Sequence, residues 1–186
     1  VKLVKSVKPG AAAVTAAALG CSTGVLTSAS KACDLSPLRD YADVVRVPSE
    51  STTTFENRYQ DGQRTQVTYS VAEPLAAADL PAVWRAPKIA HVGPILEECL
   101  PDLRDAFEPT TFLGVTPQGW MRFRDASGRI HPRVWRDAEA WLSQASAVVL
   151  SLDDVGRNWT LIDSYARMTD LLVVTQGWLG GVLFQS

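Results

Sequence analysis

The sequence predicts an α/β domain: a mostly parallel sheet sandwiched by helices, with a small β lid set apart from it. Three observations lead there. From residue 88 onward, short apolar runs alternate with helical patterns. The runs AVVL (147–150) and LLVVT (171–175) are continuously apolar, as expected of strands covered on both faces. The stretch 44–71 breaks this rhythm, being rich in Val, Thr, Tyr and Phe. With 186 residues, 46% hydrophobic and 20% charged, the chain can bury a sizeable core, and disorder is not expected.

Residues 1–7 read as a short strand, 11–19 as an alanine-rich helix stopped by Gly20, and TGVLTS (23–28) as a strand. This β–α–β opening suggests a parallel pair with a crossover helix on one face. In 44–71, the segments VVRV, TTTFENRY and RTQVTYSV are separated by turn signals at Pro48 and at Asp61-Gly62. They read as a lid-like excursion within the domain, although an edge hairpin without function fits the same periodicity. Next come a strand at KIAHVGP (88–94), a helix at LPDLRDAF (100–107) and a strand at TTFLGV (110–115). A helix at VWRDAEAWLSQA (134–145) places Val134, Ala138, Trp141, Leu142 and Ala145 on one apolar face. A strand at AVVLSL (147–152), a helix at NWTLIDSYARM (158–168) and a strand–glycine turn–strand at VVTQGWLGGVLFQS (173–186) complete the order. No repeat or low-complexity linker interrupts it, so 1–186 is expected to be a single domain with the lid at 44–71.

Eighteen basic and 20 acidic side chains are interspersed for a net charge of −2, so no broad attraction for nucleic acid or an anionic membrane is expected. Cys21, Cys33 and Cys99 are odd in number and widely spaced, which suits neither a disulfide framework nor a zinc site and favours a cytoplasmic location. The N-terminal VKLVKSVKPGAAAVTAAALGCS also has the outline of a degraded signal peptide, but its apolar run is short and bracketed by Gly10 and Gly20. No membrane helix is read.

Ligands of such sheets gather beyond the carboxyl ends of the strands, and four loops there carry unusual residues. They are HVGP (91–94), GVTPQGW (114–120), SLDD (151–154) and TQGWLGG (175–181). In the last, Gly177, Gly180 and Gly181 would let backbone approach phosphate oxygens and Thr175 adds a hydroxyl. It is not a Walker A loop, and on spacing alone a glycine-tightened hairpin is the simpler reading. Ser151 and Asp154, with Asp153 beside them, offer hard oxygen ligands of the kind Mg²⁺ takes; on sequence alone helix capping explains them better. Gln118 is a candidate hydrogen-bonding partner for a polyol shielded by Trp120, which equally suits the core. Asn57, Arg58 and Arg64 alternate with aromatics on the lid strands, where a solvated hairpin face explains them as well. His91 is read as a core histidine without a catalytic role.

Taken in order, PGAAAVTAAALG, TTTFENRYQDGQR, HVGP, GVTPQGWMRF, AVVLSLDDV and VVTQGWLGG resemble the ribokinase-like, or PfkB, family of carbohydrate kinases over nearly the whole chain. The order is more specific than any one motif, and it turns the reading of 175–180 from plain hairpin to nucleotide turn. The resemblance implies an ATP-binding set of Ser151, Asp154, Thr175, Gly177 and Gly180, with Mg²⁺ positioned by Asp154 through water. Ser151 and Asp154 take the places of Asn and Glu in the family's Asn-x-x-Glu motif. Gly10 matches the first of two glycines near the substrate, and Ala11 replaces the second. With Gly10 and Ala11, Asn57 and Gln118 complete the implied substrate-binding set.

The family's first strand with its substrate-binding aspartate, and its Gly-Ala-Gly-Asp motif with the catalytic base, have no counterpart in the 186 residues. The catalytic residue is therefore expected beyond Ser186, and the stretch in hand is expected to be an incomplete domain, inactive alone. The implied reaction is ATP-dependent phosphotransfer to a hydroxyl of a sugar, nucleoside or related polyol, with pairing of two copies through the lid strands open. A non-catalytic small-molecule-binding relative is the alternative. A nicotinamide-dependent enzyme is disfavoured, because no G-x-G-x-x-G links the first strand to a helix.

Overall fold

The computed structural model describes residues 2–5, 8–60 and 63–185. They form two compact units, residues 1–80 with 124–130 and residues 81–123 with 131–186.

In the first unit, β1 (Lys2–Lys5) pairs antiparallel with β4 (Thr54–Gln60), which pairs antiparallel with β5 (Gln63–Ser70). The N-terminal strand therefore belongs to the lid-like sheet and is not the first strand of a parallel crossover. The helix α1 spans Lys8–Ala18, starting earlier than the alanine run suggests, so Gly10 lies inside its first turn. Gly20 follows at φ 83°, the left-handed conformation that most cheaply ends a helix at glycine.

A separate parallel pair consists of β2 (Gly24–Ala29) and β3 (Asp43–Pro48), joined through the short helix α2 (Ser36–Arg39). The segment VVRV, expected within the lid, is thus the partner of β2, and of the described residues in 44–71 those of β4 and β5 contribute to the antiparallel sheet. The predicted turn at Asp61-Gly62 lies outside the described residues. A register shift between Thr54 and Phe55 makes Tyr69 the extra residue of β5. Its hydroxyl donates to Glu56, and Arg58 Nε reaches the same carboxylate oxygen at 2.9 Å. Both contacts hold the Glu56 carboxyl below the usual carboxylate range, Arg58 contributing most.

The second unit is built on a five-stranded sheet of β6 (Ile89–Val92), β7 (Phe112–Val115), β10 (Ala147–Ser151), β11 (Leu171–Thr175) and β12 (Gly181–Gln185). Its spatial order is β12-β11-β10-β7-β6, with every pair parallel except β11 and β12. The last strand, read from sequence as running to Ser186, is described as far as Gln185, and Ser186 lies outside the described residues. Between β7 and β10 the chain makes the hairpin β8 (Arg122–Arg124) and β9 (Ile130–Pro132), which helical and strand periodicity missed because each strand is three residues long. The helices α3 (Ala138–Leu142) and α4 (Trp159–Ala166) are shorter than their sequence patterns, and 101–106 forms a 3₁₀ helix. Asn158 caps α4, its Oδ1 accepting from the Leu161 N–H at 3.1 Å.

Leu172, Val174, Val148 and Val115 are all at most 1% exposed and share one face of the sheet. Trp141, Leu142 and Ile162 from the helices are equally buried. Trp120 stacks on Trp135 at 5.5 Å and tilts against Trp141 at 4.4 Å, while Trp135 meets Tyr165 edge-on at 6.0 Å. The opposite face carries Ile89, Phe112, Val149 and Leu183 at 65, 45, 37 and 59% exposure. Continuous apolar runs predicted cover on both faces, and the described structure covers one. The runs encode two apolar faces, and period alone cannot show which of them finds a partner.

Truncating Leu172 to Ala should cost about 2–5 kcal/mol in denaturant unfolding, as for other fully buried leucines. Leu183→Ala should stay within about 0.5 kcal/mol, as expected of a surface position. Equal losses would contradict the one-sided burial.

Candidate functional site

The parallel strands bring their carboxyl ends to one edge of the second unit's sheet, and the outward residue at that edge is polar on strand after strand. Ser151 ends β10 and Thr175 ends β11 as register partners, and Thr175 Oγ1 donates to the Leu150 carbonyl at 3.4 Å. On the other side, His91 of β6 and Thr116 after β7 place Nε2 and Oγ1 3.2 Å apart. Desolvation holds the imidazole pKa below its ordinary value. His91 is thus a strand-end residue on an exposed face, not the core histidine that its apolar strand suggested.

Beyond β10 the chain turns into a 3₁₀ helix, Leu152–Val155, and Ser151 caps it by accepting from the Asp153 N–H at 3.3 Å. Asp154 reaches back, its Oδ2 accepting from the Ser151 N–H at 2.9 Å. Its other oxygen accepts from Gln118 Nε2 at 3.0 Å. Gln118 Oε1 in turn accepts from Arg122 Nη2 at 2.9 Å. The capping read from sequence is therefore present, and it is one end of a longer chain of contacts that spans 36 residues of sequence between Gln118 and Asp154.

Gly119 makes this approach possible. A Cβ there would lie 2.5 Å from the Pro94 carbonyl carbon and 2.7 Å from both the Ile95 and Leu96 nitrogens. The loop after β6 is thereby pressed against the turn after β7. Glu98 closes that loop by accepting from the Ile95 and Leu96 N–H groups at 2.7 and 2.6 Å. Burial raises its pKa from 4.5 to about 7, against the pull of those N–H groups and of the Arg122 charge. Arg133 pairs with Glu97 and donates from Nε to the Trp120 carbonyl at 3.0 Å, tying the same loop to the start of the β8–β9 hairpin.

Between β11 and β12 the turn is closed by Gln176 N–H to the Gly180 carbonyl at 2.7 Å and Gly180 N–H to the Gly177 carbonyl at 3.2 Å. Gly177 has φ 62°, which favours glycine, and Gly180 has φ 88° with ψ −133°, a region that side chains rarely adopt. A Cβ at either would meet no atom within 4 Å, which leaves open space in front of the turn. Trp178 at its tip is 93% exposed.

Of the residues expected from sequence, Gln118, Ser151, Asp154, Thr175, Gly177 and Gly180 all belong to the second unit. Ser151, Asp154 and Gln118 are joined by hydrogen bonds, and Thr175 is in register with Ser151. Gly10, Ala11 and Asn57 belong to the first unit. Gly10 is buried and Ala11 exposed in α1, while Asn57 Oδ1 accepts from Gln66 Nε2 across the lid strands at 2.8 Å. The catalytic residue expected beyond Ser186 falls outside the described residues, the last of which is Gln185. Trp120 is 7% exposed and donates its indole N–H to the Cys99 carbonyl at 2.9 Å, which makes it core. Sequence reasoning missed Arg122 and Glu98; the only signal was an arginine and a glutamate close to strand-end loops, a pattern shared by many surface residues.

Among the described residues no three His, Cys, Asp or Glu side chains cluster as a metal cage. Both Asp154 oxygens carry protein hydrogen bonds. This donor set suits an ion held mainly by phosphate and water, as Mg²⁺ commonly is, and does not suit a tightly chelated metal. No described helix is long and apolar enough to cross a membrane.

No protein-family model matches the sequence, and no curated protein is a significant match to it. Solved structures do match. A pyrophosphate-dependent kinase in the ribokinase family, solved as a sulfate complex, superposes with a TM-score of 0.76 at 24% identity, covering 94% of this chain and 66% of its own. A structure of a pyrophosphate-dependent kinase in that family with a pyrophosphate analogue and myo-inositol gives 0.74 at 24% identity, covering 94% and 65%. Adenosine kinase from Sinorhizobium meliloti gives 0.68 at 15% identity, covering 95% and 59%. The chain thus spans about 59–66% of the length of these proteins. It has the ribokinase-like fold.

A raised Glu98 pKa means that the folded state favours the protonated form. Its contribution to stability is full below about pH 4.5 and is lost as pH rises through about 7. The stability difference between the wild type and Glu98→Gln should therefore shift against the wild type from pH 5 to pH 8, measured by urea unfolding at each pH. A difference independent of pH would contradict the assignment.

Proposed function

We propose that the chain forms the phosphoryl-donor-binding part of a small-molecule kinase, one that transfers the γ-phosphate of ATP to a hydroxyl of a sugar, nucleoside or related polyol. The observation that carries this reading is the pairing of Ser151 with Thr175 at the carboxyl ends of adjacent parallel strands, with a two-glycine turn following Thr175. In doubly wound sheets that edge is where ligands bind. The turn at 176–180 supplies two glycines with open space before them, so phosphate oxygens can approach backbone closely. Thr175 contributes a hydroxyl, and Ser151 with Asp154 contributes a capped, anionic corner opposite.

In this reading Mg²⁺ neutralises phosphate charge, as phosphoryl transfer requires. Asp154 acts toward it through water, since both carboxylate oxygens are already hydrogen-bonded within the protein. The chain's own work is to hold the donor in line and to present fixed dipoles to it. The 186 residues contain no Gly-Ala-Gly-Asp sequence for the acceptor's proton, so binding, not turnover, is expected of this stretch alone. In the first unit, Gly10, Ala11 and Asn57 are proposed to contact the acceptor. A cytoplasmic location belongs to the same proposal, as does pairing of two copies through the lid strands β4 and β5.

Pyrophosphate is the second donor reading. It is favoured by the structures of pyrophosphate-dependent kinases among those similar to this chain and by a turn whose glycines suit phosphate without specifying a base.

Hydrogen exchange separates the possibilities. Saturating Mg-ATP should slow exchange at the amides of 176–181, and Mg-pyrophosphate should do so in its place if the second reading holds. No protection by either would sink the proposal. Gly180→Ala forces a side chain into a backbone region essentially restricted to glycine, at about 1–3 kcal/mol. It should weaken donor binding roughly tenfold or more in calorimetry, while leaving acceptor binding unchanged.

A further inference from the structure

Gln118 was expected to meet a substrate, yet its carboxamide is engaged at both ends by groups that dictate which end faces which. A guanidinium only donates, so the oxygen of the amide must face Arg122, and the NH₂ is thereby turned toward the carboxylate of Asp154. Arg122 is 9% exposed and its neighbour Gln118 is half-buried, so neither contact is a loose surface encounter. The rest of the path is equally constrained. Gly119 has no room for a side chain against the 94–96 backbone, Glu98 seals that loop from its other side, and Asp154 grips the Ser151 N–H.

We propose that Arg122 is a positioning residue that sets the orientation of the Gln118 carboxamide and thereby holds Asp154 in place on the Ser151 turn. Gln118 is on this account a link within the protein and not a substrate ligand. The inference rests on the donor-site reading for its functional consequence, but the relay itself is a property of the chain without any ligand.

The relay has a direct reporter. The Ser151 N–H donates to Asp154 Oδ2 at 2.9 Å, so its exchange rate reads how well Asp154 is held. Arg122→Met removes the donor while keeping apolar bulk, and leaves the Gln118 carboxamide unanchored at its oxygen end, so that it can swing away from Asp154. Ser151 amide exchange, measured by NMR on the ligand-free chain, should then quicken about tenfold or more, the scale of losing a charge-assisted hydrogen bond. Amides of Val148 and Leu172 in the sheet should be unchanged. Arg122→Lys, which restores a donor of the same charge, should recover part of the protection. Gln118→Met, which cuts the relay without removing the buried charge, should match Arg122→Met and serves as the decisive variant if the latter does not fold.

In calorimetry both Met variants should bind Mg-ATP or Mg-pyrophosphate about tenfold more weakly, with the Lys variant between them and the wild type. Ser151 exchange unchanged in folded Gln118→Met would overturn the relay. Quickened Ser151 exchange in a chain that binds neither donor would leave the relay standing and remove the donor-site reading, so the two can fail separately.

Discussion

The parallel pairing of β10 with β11 is the constraint on which the rest of the second unit depends. Its register sets Ser151 beside Thr175 and makes the two strands end together. Burial fixes that register, because Val148, Leu150, Leu172 and Val174 are all at most 3% exposed, and a slip of one residue would turn them out and bring Val149 and Val173 in. The apolar contacts of one face thereby place the polar groups at the end of the other. No separate force is needed to assemble the strand-end hydroxyls.

Around this pair, each connecting segment is held by a contact local to its own loop. Asp154 folds back on Ser151, Glu98 on the 95–96 backbone, and the glycine turn on itself. The Gln118–Asp154 contact runs between loops of different strands, and Arg122 joins it from the same segment as Gln118. A buried cation with a satisfied amide beside it is costly to break, since a lost partner leaves a polar group without its hydrogen bond in a low-dielectric setting. That asymmetry is why a network of three side chains can fix geometry even where its net contribution to stability is small.

Much of this was legible in the sequence. The apolar runs AVVL and LLVVT marked the central strands, and the glycines of 177–181 marked a turn in which Gly177 and Gly180 do take positive φ. The order of the motifs led to the ribokinase-like fold that the structural likenesses support. What escaped was long-range. Strand pairing of β1 with β4, and of β3 with β2, depends on partners that local period cannot name. The uncovered face of the sheet escaped for the same reason. Arg122 was invisible because its role depends on a turn held by Gly119, and Gln118 was visible only as a polar side chain, with no sign of which partners it would meet.

The proposal that the second unit binds a phosphoryl donor is tested most directly by a crystal structure of the chain with Mg²⁺ and a non-hydrolysable ATP analogue. The account predicts phosphates lying over the 176–180 turn and facing Ser151, with Asp154 still bonded to Gln118 and reaching the ion through water. An analogue bound away from the carboxyl ends of β10 and β11, with that edge in contact with solvent alone, would contradict it.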